Sequence, residues 1–130
     1  MLSPDGRWMV YAVLEAGREE EVYVQRYPGP GDRAAVSVSG GREPVWSPSG
    51  DEIFYRSIDG ERMMAVSVGT EPTLRIDQPR TLFQGQFRLG NFWSEYDVSP
   101  KTKEFLMVAV DEPTRPRLAV AMDFLQAAGR

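Results

Sequence analysis

Leu2-Ser3-Pro4-Asp5-Gly6-Arg7-Trp8-Met9-Val10-Tyr11 lines up without a gap on Trp46-Ser47-Pro48-Ser49-Gly50-Asp51-Glu52-Ile53-Phe54-Tyr55. A third, weaker copy is Val98-Ser99-Pro100-Lys101-Thr102-Lys103-Glu104-Phe105-Leu106-Met107. Each copy is an apolar residue, Ser-Pro, a short polar turn and an apolar strand. The Ser-to-Ser spacings, about 44 and 52 residues, are near the period of four-stranded propeller blades, units that stack to bury a continuous core. In the turn, Pro presets φ at the first corner, Asp or Ser bonds back to the backbone, and Gly takes a positive φ. Thr102 stands where the other copies have Gly6 and Gly50, so the third turn is expected to be of another type.

Outward from these turns run short strands between breakers, with no helical period sustained over ten residues. The first unit reads as strands at Trp8–Leu14, Glu21–Tyr27 and Ala34–Ser39, broken by Ala16-Gly17 and Pro28-Gly29-Pro30-Gly31. The second gives Glu43–Trp46, Glu52–Ser57, Met63–Val68 and Thr81–Gln84, with a turn at Asp59-Gly60 and a longer loop from Glu71-Pro72 to Gln78-Pro79. The third gives Trp93–Val98, Glu104–Val110 and Arg117–Asp123. Runs such as Trp8 to Leu14 and Phe105 to Val110 are apolar at successive positions, which calls for cover on both faces. The expected fold is therefore all-β, a partial β-propeller of about three four-stranded blades in one domain, with blade-like units at about 2–42, 43–85 and 92–125. A small β-sandwich or open barrel is the competing architecture.

The quoted turns, with Glu21-Val22-Tyr23-Val24 and Pro44-Val45-Trp46-Ser47-Pro48-Ser49-Gly50, resemble the WD-like Ser-Pro-Asp-Gly repeats of TolB-type propellers. More narrowly, Tyr27-Pro28-Gly29-Pro30-Gly31, Phe54-Tyr55-Arg56-Ser57 with Met63-Met64-Ala65-Val66, and Tyr96-Asp97-Val98-Ser99-Pro100 are similar to the last blades of propellers attached to bacterial serine/threonine kinases. That family builds six or more blades in a chain, and this sequence departs from it with about three. The resemblance implies a module that binds proteins, peptides or small ligands at a channel mouth or rim, and it names no ligand.

Composition narrows the chemistry. The 130 residues are 42% hydrophobic and 11% aromatic, enough for one core. With no cysteine and no histidine, there are no disulfides, thiolate nucleophiles, imidazole bases or zinc sites of sulfur and imidazole. The net charge of −4 comes from 19 acidic and 15 scattered basic residues, which argues against a nucleic-acid partner. A Ser-Lys pair is formally available at Ser99 with Lys101 and Lys103, and reads better as turn chemistry. Asp5, Asp51, Glu52, Asp97 and Glu104 recur near the turns, where blades could converge carboxylates as in a glycosidase; turn Asp residues usually bond their own backbone. Glu19-Glu20-Glu21 reads as a solvated strand entry, and no Asp-x-Asp-x-Asp-Gly calcium loop is present. No catalytic residue, metal or cofactor is assigned.

Trp8, Trp46 and Trp93, with Tyr11, Tyr55 and Tyr96, are expected to pack between blades. Phe87-Arg88-Leu89-Gly90-Asn91-Phe92-Trp93 is an irregular connection rich in aromatics, so Phe87, Arg88, Phe92 and Trp93 are the candidate contact residues. The first unit has only Met1 and Leu2 ahead of its Ser-Pro turn, and the third has little beyond Leu125. Exposed edges and apolar faces at both ends predict a homo-oligomer, a head-to-tail dimer being favoured, with another protein or small ligand as a further partner. No basic start with an apolar stretch precedes the first turn, and nothing reaches the roughly 18 apolar residues of a membrane span. The chain as written is expected in the cytoplasm, or in the periplasm if it is a fragment of an exported protein.

Overall fold

The computed structural model describes residues 1–29, 31–87, 96–102, 104–112 and 115–123, with side-chain surroundings as far as 108. Every regular element among them is a strand. β1 (Trp8–Val13), β2 (Glu21–Arg26) and β3 (Ala34–Ala35) form the first sheet, and Leu2 bridges to Met9 at its inner edge. The second sheet is β4 (Arg42–Trp46), β5 (Glu52–Arg56), β6 (Arg62–Gly69) and β7 (Arg75–Ile76), with β8 (Arg80–Gln84) also paired to β6. β9 (Tyr96–Val98), β10 (Glu104–Glu112) and β11 (Arg115–Asp123) make the third. All pairings are antiparallel between chain neighbours, apart from β8, which returns past β7 to β6.

Strand period explains how the sheets stack, because successive side chains point to opposite faces. On β5, Ile53 and Tyr55 join Val10, Val22 and Val24 of the first sheet, and Val36 just after β3, in one cluster. Phe54, one position on, joins Tyr96, Val98, Phe105 and Met107 of the third sheet in the other. The same alternation splits Val45 from Trp46, and Met63 and Ala65 from Val66 and Val68. The middle sheet is thus covered on both faces, and Ile53, Phe54, Tyr55 and Arg56 are all buried. Burial of each large apolar side chain here contributes about 1.5–3 kcal/mol. Three sheets packed in series form a partial β-propeller, not the two facing sheets of a sandwich.

Strand limits differ from the sequence reading in places. β3 spans two residues instead of Ala34–Ser39 because the amides of Val36 and Ser37 both reach the Val22 carbonyl, at 2.8 and 3.4 Å, which breaks the ladder. Ser39 then takes a positive φ of 62°. Inside the long loop, β7 pairs Ile76 with Val68, and Leu74 and Ile76 pack on the first cluster. The expected start of the third unit at Trp93 lies outside the described residues.

Candidate functional site

The repeated turn has one hydrogen-bond plan. Ser3 N–H donates to the Trp8 carbonyl at 2.7 Å and Gly6 N–H to the Ser3 carbonyl at 2.9 Å. Trp8 N–H returns to Ser3 Oγ at 3.0 Å, and Asp5 Oδ1 accepts from Ser3 Oγ at 2.6 Å and from Arg7 N–H at 3.0 Å. Around Ser47 the plan recurs, with Asp51 accepting from Ser47 and Ser49. Gly6 and Gly50 take φ of 73° and 81°, as expected. In the third turn Ser99 N–H still reaches the Glu104 carbonyl at 2.8 Å, but Ser99 Oγ accepts from Lys101 and Thr102 instead. A further copy went unrecognised in the sequence. Ser57-Ile58-Asp59-Gly60 lacks the Pro, yet Ser57 Oγ donates to Asp59 Oδ1 at 2.6 Å, Arg62 N–H to Ser57 Oγ at 3.1 Å, and Gly60 has φ 76°.

These contacts engage the turn carboxylates at their own corners. The Ser3 hydroxyl, then the Arg7 amide, hold the Asp5 carboxyl below its usual range. The Ser57 hydroxyl, then the Glu61 amide, do the same for Asp59. Glu52 pairs with Arg80, and Asp97 accepts from its neighbour Val98 N–H at 2.8 Å. Asp97 and Glu104 line one concavity, of about 330 Å³, with Ser99, Thr102 and Leu106.

Between the second and third blades lies a buried polar network. Arg56 is fully buried; its Nη2 donates to the Gly60 carbonyl at 2.7 Å and the Phe87 carbonyl at 2.8 Å, and its Nη1 stands 3.4 Å from Glu43 Oε2. Glu43 holds a positive φ of 53°. Its carbonyl accepts the Tyr96 hydroxyl at 2.7 Å, with the Phe54 carbonyl 3.3 Å from the same oxygen. Burial first, and the Glu43 charge second, push the Tyr96 phenol well above 10.0.

Of the candidate contact residues, Phe87 is half-buried, its ring edge-on to Phe83 at 5.9 Å and packed on the cluster between the second and third blades. Arg88, Phe92 and Trp93 lie outside the described residues. Trp46 and Tyr55 are buried in the first cluster, Trp8 packs against it, and Tyr96 is buried in the second. Tyr11 stands apart. It lies 6.3 Å from Tyr23 on the face of the first blade turned away from the second, and donates to Gln25 Oε1 at 2.8 Å. The Arg33 guanidinium stacks 4.0 Å over the Tyr23 ring and pairs with Glu15 at 3.0 Å.

No family model matches the sequence, and no curated protein matches it. Among solved structures, the chain is similar to a protein from Bacteroides uniformis ATCC 8492 named a "putative 6-phosphogluconolactonase", with a TM-score of 0.56 and 14% identity over 95% of this chain. The chain spans 38% of that protein's length. At that identity the likeness carries the fold and nothing finer, and with the three serially packed sheets it makes this chain an all-β arc of propeller blades.

Proposed function

We propose that this protein is a non-catalytic β-propeller module for protein or ligand binding and self-assembly, related to the TolB-type repeats and to the propellers of bacterial serine/threonine kinases. One observation carries the reading: Asp5 and Asp51 of the repeated Ser-Pro turns, and Asp59 of the added copy, are engaged with the serines of their own turns. A carboxylate held in this way stabilises a corner and is poorly placed to move a substrate proton. The resemblance of the quoted motifs supports the family, and the aromatic connection with Phe87, Arg88, Phe92 and Trp93 is the segment proposed to meet a partner.

A second reading is an enzyme using carboxylates, and it rests on the concavity holding Asp97 and Glu104. The name of the Bacteroides uniformis protein points to a phosphorylated lactone as the first substrate to try. Two carboxylates in the concavity disfavour an anionic phosphate by like-charge repulsion. Incubating the 130-residue chain with 6-phosphogluconolactone, model glycosides and esters tests the point. No turnover is expected; hydrolysis abolished by Asp97→Asn would overturn the binding-module reading.

A further inference from the structure

Where the chain crosses from the first blade to the second lies a concavity of about 220 Å³, and all of its lining falls between residues 38 and 64. A close approach of the chain sets its walls. A Cβ at Gly40 would meet Ile58 at 2.6 Å, and one at Gly41 would meet the Tyr55 ring at 2.7 Å, so the crossover from β3 to β4 lies directly against both. Val38, Tyr55, Ile58 and Met64 supply an apolar lining, and Asp59 and Arg62 are exposed at its edge. The volume is below the roughly 300–1,000 Å³ of sites for drug-sized ligands, so the occupant is small.

Three polar groups there have bonding capacity to spare. Tyr55 is buried; the Val38 backbone amide bonds its hydroxyl, which donates to no acceptor among the described residues. Burial pushes its pKa above 10.0, so it remains a donor at neutral pH. Val38 and Tyr55 both line the concavity, which puts that hydroxyl at its wall. Asp59 accepts from Ser57 and Glu61 at Oδ1, at 2.6 and 2.9 Å, leaving Oδ2 for a ligand. Arg62 forms no ion pair among the described residues, yet its charge reaches both the Asp59 carboxyl and the Tyr55 phenol.

These groups select by charge. A simple anion would meet the Asp59 carboxylate, with Glu19 close to Gly40 in the neighbouring concavity. A simple cation would meet Arg62. A molecule carrying both signs is matched, its carboxylate at Arg62 and its ammonium at Asp59. We infer that this concavity binds a free α-amino acid with an apolar side chain. The side chain rests on Ile58, Met64 and the Tyr55 ring, and a carboxylate oxygen accepts from the Tyr55 hydroxyl. The inference names a ligand class for the binding module proposed above and rests on that reading.

Amide chemical-shift titration of the 130-residue chain tests it, because shifts report both affinity and place. L-Leucine is expected to bind with a Kd of about 1 mM or tighter, with shifts centred on Ser39, Gly40, Ile58 and Asp59. Glycine lacks the side chain, N-acetyl-L-leucine the ammonium and L-leucinamide the carboxylate; each binds about tenfold more weakly or worse. Arg62→Gln and Asp59→Asn each weaken leucine about tenfold. Arg62→Gln leaves leucinamide unchanged and Asp59→Asn does not weaken N-acetyl-leucine, because in each case the matching ligand group is already gone. That pattern separates lost charge from lost folding. Tyr55→Phe, which keeps the ring, also weakens leucine. No shifts with leucine, shifts centred elsewhere, or equal affinity for leucine and its acetylated and amide forms overturns the site. Those results leave the binding-module reading standing, which falls to hydrolysis in the activity screen above.

Discussion

Gly50 has φ of 81°, and a Cβ there would meet only the ring of Pro4, at 3.4 Å; at Gly6 it would meet nothing within 4 Å. Room is available, so the cost of a side chain is conformational. Gly6→Val and Gly50→Val are each expected to lose about 1–2 kcal/mol, read as a lower denaturation midpoint at an unchanged slope. Asp5 and Asp59 act on the same corners through charge. Their folded pKa values lie below the ordinary 3.8, so the stability they add is full above that value and is lost as pH falls through the lowered ones. Asp59→Asn is expected to flatten the fall of stability below about pH 4, while a curve parallel to wild type would show that Asp59 adds nothing there. Ser3-Pro4-Asp5-Gly6 could be read from sequence because its residue types are those the backbone demands. Ser57-Ile58-Asp59-Gly60 escaped because the Pro, the loudest signal, is dispensable to the hydrogen bonds.

Among elements, β5 and β6 lie within one residue at each end of the spans read from the sequence, Glu52–Ser57 and Met63–Val68, and β3 falls short of Ala34–Ser39, because a pair of amides sharing one carbonyl leaves no trace in residue type. Arg56 was harder still. It aligns with Ala12 of the first unit, and its partners Glu43 and Phe87 lie 13 and 31 residues away, so nothing local announces a buried cation. Arg56→Met would leave the Glu43 carboxylate buried without that partner and is expected to cost about 3–5 kcal/mol. Adding Glu43→Gln should recover part of the loss, and strictly additive losses in that double-mutant cycle would mean that the two side chains are not coupled. Tyr96→Phe removes the hydroxyl that bonds the Glu43 carbonyl across the blades, with an expected loss of about 1–2 kcal/mol. The link from Arg56 to the Phe87 carbonyl gives the aromatic connection a fixed starting point, a feature of the candidate site that only the folded chain reveals.

For the whole molecule, the second blade belongs to both clusters, so its strands should open last. Amide exchange is expected to be slowest in β5 and β6, with β1, half-buried at all its positions but Val10, less protected. Equal protection in β1 and β5 would contradict this. The odd and even positions of β5 also have a bearing on how such a chain can change over generations. Ile53 and Tyr55 serve one cluster and Phe54 the other, so deleting a single residue within the strand would send each side chain to the wrong neighbour. Substitutions can be absorbed one at a time, but a change of length there scrambles both interfaces at once. Insertions and deletions are therefore confined to places such as the exposed stretch Glu71-Pro72-Thr73, and it is by loop length, not strand length, that relatives of this chain are expected to diverge.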